Sequence, residues 1–340
     1  EDRREIYIMV VGETSRALNW SLYDYDRDTN PELSKIEGVT SFCHVLTESN
    51  TTHKSVPMLL SPVSAQNFDS IYYRKSIITA FKEAGFQRYN HSFIDFFGME
   101  ADTYDFIKED SQDSQYNPSD DELLMLVEKE LEKGNRKQFI VLHTYGSHFN
   151  YRERYPETAA FFLPDFPVDA EVKYKDNLMN AYDNSIRYTD NFLARIIHLL
   201  KQQQVDASML YTSDHGEDIF DDGRHLFLHA SPVPSYYQLH VPLLLWTSDS
   251  YREEYPGIEK AASMNRQKNI SSSISFFQTM MELAGIETPY RNDSLSVTSP
   301  LYTEKSRVYL NDHNEPHSLD DIGMRKEDFE MLKKRGIDAQ

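Results

Sequence analysis

The sequence predicts an α/β fold whose central sheet is largely parallel and covered by helices on both faces. Three observations carry that reading. Short, nearly unbroken apolar and β-branched runs recur, beginning with Ile6-Tyr-Ile-Met-Val-Val11, and such runs belong to strands buried on both sides. Between them lie stretches of helical spacing, above all 174–203, where Leu178, Tyr182, Ile186, Phe192, Leu193, Ile196 and Leu200 fall on one face. Runs and helical stretches then alternate along the chain, with no repeat, low-complexity tract or Gly/Ser linker between them. A length of 340 residues suits two domains or one large one. The unbroken alternation favours a single domain over 1–340, with 318–340 as a peripheral helical tail.

Taken in order, Phe139-Ile-Val-Leu-His143, Ser208-Met-Leu-Tyr-Thr212 and Val241-Pro-Leu-Leu-Leu-Trp246 repeat the pattern of the first strand. Val308-Tyr-Leu-Asn311 is a late strand pattern. Shorter helices are expected at 76–83, 121–133 and 272–284, the last closed by Gly285, a residue suited to a helix C-terminus. The acidic stretch 109–121 reads as a solvated loop. With 35 basic against 55 acidic side chains and a net charge of −20, nucleic acid is excluded as a general partner, because phosphate backbones need a basic surface. Hydrophobic residues at 39% and aromatics at 13% exclude disorder. No apolar run approaches the ~18 residues of a membrane span. The single cysteine, Cys43, forms no intrachain disulfide and reads as a small buried side chain. The start at Glu1 without a Met reads as a trimmed or mature fragment.

In open parallel sheets, ligands bind beyond the carboxyl ends of the strands, so the residues after each strand are the ones to inspect. The first strand runs into Gly12-Glu13-Thr14, the second run into His143-Thr-Tyr-Gly-Ser-His148, the third into Ser213-Asp-His-Gly-Glu217. One sheet edge thus receives Glu13, two histidines and the Asp214-His215 pair. Each alone has an ordinary use, as a helix cap or a turn. Together they suit a divalent transition metal, zinc above all. Ser49-Asn-Thr-Thr-His-Lys-Ser-Val-Pro57-Met-Leu-Leu60 adds a hydroxyl-rich loop turning into an apolar helix. Pro57 is tolerated in a first helical turn, which sets the hydroxyls at or just before a helix N-terminus, a seat for phosphate. A threonine there, bound to zinc, becomes a nucleophile toward phosphorus. The competing reading is plain N-capping by Thr or Ser.

These segments resemble the phosphoethanolamine transferases, lipid A-modifying type, of the alkaline phosphatase and sulfatase superfamily. Val11-Gly-Glu-Thr-Ser-Arg16 with Tyr25-Asp-Arg-Asp-Thr-Asn-Pro-Glu-Leu33 resembles the family's opening. Thr52-His-Lys-Ser-Val-Pro57 resembles its nucleophile segment, and His143 to His148 its substrate-histidine segment. Asn180-Ala-Tyr-Asp-Asn184 with Thr189-Asp190 resembles the helix before the second metal segment, Ser213 to Glu217, after which Leu228-His229 follows. The resemblance implies an α/β/α sandwich. It implies that Glu13, Thr52, Asp214 and His215 surround one tight zinc, with Thr52 also the catalytic nucleophile. His148 and His229, with Glu217 beside them, are implied to hold the substrate phosphate or a second, weaker zinc. His143 is expected to support the site from outside the ligand set. The implied reaction moves phosphoethanolamine from phosphatidylethanolamine to a lipid A or glycan acceptor through a phosphothreonine-type intermediate. Members carry transmembrane helices ahead of a periplasmic catalytic domain, so the chain is expected to be that domain, a monomer working at the bacterial inner membrane.

Departures from the pattern are the missing family cysteines and the lack of a match, around 89–105, for a substrate-contacting lysine of some lipid A enzymes. Arg224 and His225 are additions, either charge for the phosphate or a loop salt bridge. His198 and His240 read as structural, and His313 and His317 lie near the late strand. Alternatives are a phosphoglycerol transferase or a sulfatase/phosphodiesterase-type hydrolase, and more remotely a non-catalytic lipid- or glycan-binding domain. Against the sulfatase, Leu59 stands where its maturation signature needs arginine. A charge of −20 repels an anionic membrane, so a tether or local basic patch is expected to hold the domain near lipid.

Overall fold

The computed structural model describes residues 3–92, 111–115 and 119–340. The first seven strands are β1 (Glu5–Gly12), β2 (Val39–Phe42), β3 (His44–Leu46), β4 (Gln87–Ser92), β5 (Asp113–Gln115), β6 (Lys137–His143) and β7 (Asp206–Ser213). Then come β8 (Asp218–Ile219), β9 (Phe227–Leu228), β10 (Leu243–Thr247), β11 (Asn269–Ser271), β12 (Val308–Leu310) and β13 (Pro316–Ser318). The helices are α1 (Thr52–Leu59), α2 (Ile77–Glu83), α3 (Asp120–Glu132), α4 (Lys175–Gln203) and α5 (Tyr236–Leu239). They continue with α6 (Asp249–Glu254), α7 (Pro256–Asn265), α8 (Ser272–Ala284) and α9 (Lys326–Lys334).

The main sheet has the order β2-β10-β7-β1-β6-β4-β5. It is parallel from β7 through β5, while β10 runs antiparallel to both β7 and β2. That reversal has a simple cause. β7 ends at the same edge where β10 begins, with Leu243 opposite Thr212, so the whole 214–242 segment stays at one edge. Alternation along β1 builds the layers. Ile6, Ile8 and Val10 pack with Leu123 and Val127 of α3 and with Tyr182, Ile186 and Ile196 of α4. Tyr7, Met9 and Val11 pack on the other face with Val56 of α1, Phe81 of α2 and Phe276 and Met280 of α8. The expected sandwich of helices around a largely parallel sheet is therefore what the chain forms.

Several expectations need correction. α1 begins at Thr52 with Thr51 as its extended N-cap residue, so Thr52 sits at the helix N-terminus as expected, but Pro57 lies in the second turn. Val241 and Pro242 precede β10 instead of belonging to it. The acidic stretch is not one loop: 113–115 form an edge strand and Asp120 opens α3, while 109–110 and 116–118 lie outside the described residues. Residues 93–105 of the lysine comparison lie outside them too. Cys43 is half-buried, its sulfur beside the Arg266 guanidinium at 3.8 Å. In the tail, α9 is a single short helix; Leu319, Leu332 and Ile337 pack against Leu46, Tyr236 and Leu239.

Candidate metal and phosphate site

Three elements meet at the carboxyl edge of the sheet: the end of β1, the first turn of α1 and the end of β7. Thr52 Oγ1 lies 2.9 Å from Glu13 Oε1, 2.7 Å from Asp214 Oδ2 and 3.3 Å from His215 Nε2. His215 Nε2 is in turn 3.4 Å from Glu13 Oε1 and 3.3 Å from Asp214 Oδ2. Glu13, Asp214 and His215 are buried, and Thr52 is 7% exposed. A hydroxyl has one proton and cannot serve two carboxylates at once. His215 spends Nδ1–H on the Gly216 carbonyl at 2.7 Å, so its neutral form turns the Nε2 lone pair toward the same point. With His215 neutral and both carboxylates ionised, four electron-rich atoms face one another in a dry place, an arrangement that calls for a cation in place of the protons. Ligands 2.0–2.1 Å from a tetrahedral zinc stand about 3.3–3.4 Å apart. Three of the measured separations, 3.3, 3.4 and 3.3 Å, match that spacing. The shorter two are those from the Thr52 hydroxyl to the two carboxylates.

Protons respond as expected of a cation site. Burial and the Glu13 charge push the Asp214 carboxyl well above its ordinary value. Burial opposes charge on His215, yet Asp214 and Glu13 outweigh it and lift the imidazole to about 9. Burial also opposes charge on Glu13, but hydrogen bonds from His143 and His215 prevail and hold it well below the usual carboxylate range. Glu13 Oε2 receives His143 Nε2 at 3.2 Å. His143, Glu13 and Asp214 form a buried group whose ligand atoms lie within 4.8 Å of one another. Facing Glu13 through Nε2, His143 is placed to orient that carboxylate.

Two further histidines present the same nitrogen. His148 gives Nδ1 to the Phe149 carbonyl at 2.7 Å, and burial lowers its pKa. His229 gives Nδ1 to Glu217 Oε1 at 2.7 Å, and its ring lies 4.0 Å from that of His215. A neutral imidazole that donates from Nδ1 keeps a lone pair on Nε2, for metal or, once protonated, for a phosphate oxygen. Glu217 is itself held by the buried Tyr151 hydroxyl at its other oxygen. The structure therefore brings Glu13, Thr52, Asp214 and His215 into mutual contact and sets His229 and Glu217 directly beside them. His148 lies close enough for the Glu13 and Glu217 charges to act on it.

Other residues are accounted for elsewhere. Arg224 pairs with Asp222 and, through both terminal nitrogens, with Asp328 of α9 at 2.8 and 2.9 Å. It is a loop salt bridge. Lys54 Nζ donates to the Asn311 carbonyl. His240 lies between the Tyr236 hydroxyl and the Cys43 carbonyl, and burial drives its pKa down to about 3. His198 has an exposed partner, Gln202, one turn on in α4, and His317 of β13 lies beside the exposed Asp321.

Sequence reasoning missed the groups that fasten the site. Arg16, 1% exposed, binds Asp221 through both terminal nitrogens at 2.8 Å and the Glu217 carbonyl at 2.9 Å. Tyr182 takes the Arg16 amide and donates to the Thr14 carbonyl. Asp120 accepts the amides of Tyr145 and Gly146. An arginine inside an apolar-flanked segment, with acidic residues after the Asp-His pair, was a usable signal for Arg16. Tyr151 had none.

The family model described as Sulfatase matches residues 5–286. Phosphoethanolamine transferase EptA of Salmonella typhimurium is 30% identical over 317 residues, covering 88% of this chain and 56% of that protein. The chain thus spans about half the length of that relative. The C-terminal periplasmic domain of EcEptC from Escherichia coli, in complex with Zn, superposes with a TM-score of 0.82 at 23% identity, covering 95% of this chain and 94% of that one. The soluble domain of lipooligosaccharide phosphoethanolamine transferase A from Neisseria meningitidis gives a TM-score of 0.76 at 25% identity, covering 87% and 92%. No helix among the described residues is long and apolar enough to cross a membrane.

Proposed function

The chain belongs to the sulfatase family, and from that premise we propose that it is the catalytic part of a zinc-dependent phosphoethanolamine transferase. The observation that carries the proposal is the Thr52 hydroxyl at the first turn of α1, within 2.9 Å of both the Glu13 and Asp214 carboxylates. The relatives named above supply the transferred group, and the Escherichia coli domain supplies the metal. Glu13, Thr52, Asp214 and His215 would hold the zinc, whose charge would lower the pKa of the Thr52 hydroxyl and leave it a nucleophile at neutral pH.

Thr52 Oγ attacks the phosphorus of phosphatidylethanolamine; a bond forms from Oγ to phosphorus, and the bond to the diacylglycerol oxygen breaks. The Thr52 proton leaves to water, and His229, with Glu217 behind its Nδ1, or His148, in the form protonated at Nε2, delivers the proton that the departing oxygen takes up. The N–H groups of the first turn of α1 face the non-bridging oxygens and stabilise their charge. An acceptor hydroxyl or phosphate on lipid A or another glycan then takes the phosphoethanolamine from Thr52. The same two histidines with Glu217 grip the phosphate, or a looser second zinc. The chain works as a monomer in the periplasm beside the inner membrane.

Sulfatase chemistry fits less well. Leu59 is fully buried in the apolar layer under α1, where the maturation signature needs arginine. Ser55 donates to the Asp214 carbonyl at 2.7 Å instead of joining the ligand atoms. Intact mass after incubation with phosphatidylethanolamine tests the reading. A phosphoethanolamine adduct mapped to Thr52, absent in Thr52→Ala, is expected; turnover retained by that variant sinks the proposal.

A further inference from the structure

Beyond His148 the chain runs through a loop, 155–172, tied to the first turns of α4, the helix whose Tyr182 hydroxyl reaches the Thr14 carbonyl beside the site. Phe161, Leu163 and Phe166 on it are 60, 65 and 64% exposed. Single exposed apolar residues are ordinary, but three large ones on one loop are not. Nor is the loop slack. Asn184 accepts the amides of Phe161 and Phe162 at 3.0 and 2.7 Å and returns its own N–H to the Phe162 carbonyl. Asn180 and Asn177 donate to the carbonyls of Pro164 and Pro167, and Tyr155 to Asp165. The fold holds these side chains out in water.

Guanidinium groups cover the rings. Arg187 lies 3.9 Å over Phe161, Arg27 4.8 Å over Phe162 and Arg152 5.2 Å over Phe166. Apolar bodies with cationic shoulders match the depth at which acyl chains give way to phosphates. The net charge narrows the partner. Arg27 and Arg152 are already paired with Asp183 and Asp165, so little positive charge is left to offset −20 for the whole chain. An anionic surface repels such a molecule, whereas a zwitterionic one offers phosphate oxygens without net repulsion.

We propose that the 155–172 loop docks the chain on a zwitterionic phospholipid surface, with Phe161, Leu163 and Phe166 entering the boundary between headgroups and acyl chains. Its purpose rests on the lipid-donor reading above: it brings the donor to the edge that carries Thr52. Vesicle binding itself is measured without any chemistry. Trp20 and Trp246 are buried at 0 and 1% exposure, so a Phe166→Trp chain reports the loop's surroundings. With phosphatidylcholine–phosphatidylethanolamine vesicles its emission is expected to shift to the blue, saturably and undiminished by salt, and more weakly when phosphatidylglycerol is added. Phe161→Ser/Leu163→Ser/Phe166→Ser is expected to bind vesicles at least about tenfold more weakly, with unchanged melting and unchanged Thr52 modification by a monomeric short-chain donor. Absence of the shift, or equal vesicle binding by the triple variant, overturns the proposal. So does binding that grows with anionic lipid and falls with salt, or a vesicle-free dimer that the triple variant loses, which assigns the loop to a second copy of the chain. Normal docking without Thr52 modification leaves this inference standing and removes the transferase reading instead.

Discussion

Thr52 has one proton to offer and two carboxylates within 2.9 Å of its oxygen. This imbalance sets the division of labour among the surrounding residues. Asp214→Ala removes a corner of the ligand set and is expected to strip zinc from the purified chain. His229→Ala, which alters a group beside that set, is expected to keep one zinc while turnover falls at least about a hundredfold. Metal analysis beside head-group release decides, and unchanged zinc in Asp214→Ala refutes the assignment. Glu48 poses a separate residue-scale question. Burial lifts its carboxyl to about 7, although the Ala65 amide and Arg307 favour its charge. A raised folded-state pKa contributes stability that is full below the ordinary value of 4.5 and is lost as pH rises through about 7. Glu48→Gln is therefore expected to match the parent near pH 4 and to exceed it near pH 8, by roughly 1–3 kcal/mol. Urea denaturation at both values checks this, and a pH-independent difference refutes it.

At the scale of elements, the turn after β6 is pressed against the end of β1. Gly146 has φ +56, and a Cβ there would sit 2.7 Å from the Glu13 carbonyl oxygen. Gly134 has a comparable φ of +65 with nothing within 4 Å. Gly146→Ala is expected to weaken zinc binding at least about tenfold and to cost more stability than Gly134→Ala, which pays only the backbone strain of about 1 kcal/mol. Zinc titration and melting of both variants compare them; equal effects would show that the contact with Glu13 does not matter. These elements differ in how readily the sequence announced them. β1, β6 and β7 are buried on both faces and so are written as apolar runs, and α4 carries its spacing over many turns. β4, Gln87-Arg-Tyr-Asn-His-Ser92, is polar in sequence, and only pairing with β6 and β5 makes it a strand. The direction of β10 depends on where the 214–242 segment travels, which no local pattern records. Pro57 misled because proline favours a first turn, while here it is accommodated in the second. The clustering of the candidate residues was legible because each follows a strand or opens a helix. Arg16 with Asp221, and Tyr151 with Glu217, join parts of the chain that only the fold brings together.

At the scale of the molecule, Glu13 follows the first strand of the chain, Thr52 opens a helix on one face of the sheet, and Asp214 and His215 follow a strand reached only after α4 has crossed the other face. No segment alone contains the cluster, so zinc held as proposed would find no comparable affinity in the unfolded chain, and its binding would be coupled to global folding. Stability then becomes a counter of ions. Above the dissociation constant, each tenfold rise in free zinc is expected to add about 1.4 kcal/mol to unfolding for every site occupied only in the native state. The slope of unfolding free energy against the logarithm of free zinc therefore gives the stoichiometry. A single slope near that value means one ion per chain, a steepening toward twice it at higher concentration reports the looser second ion, and a flat line removes the ion from the folded molecule altogether.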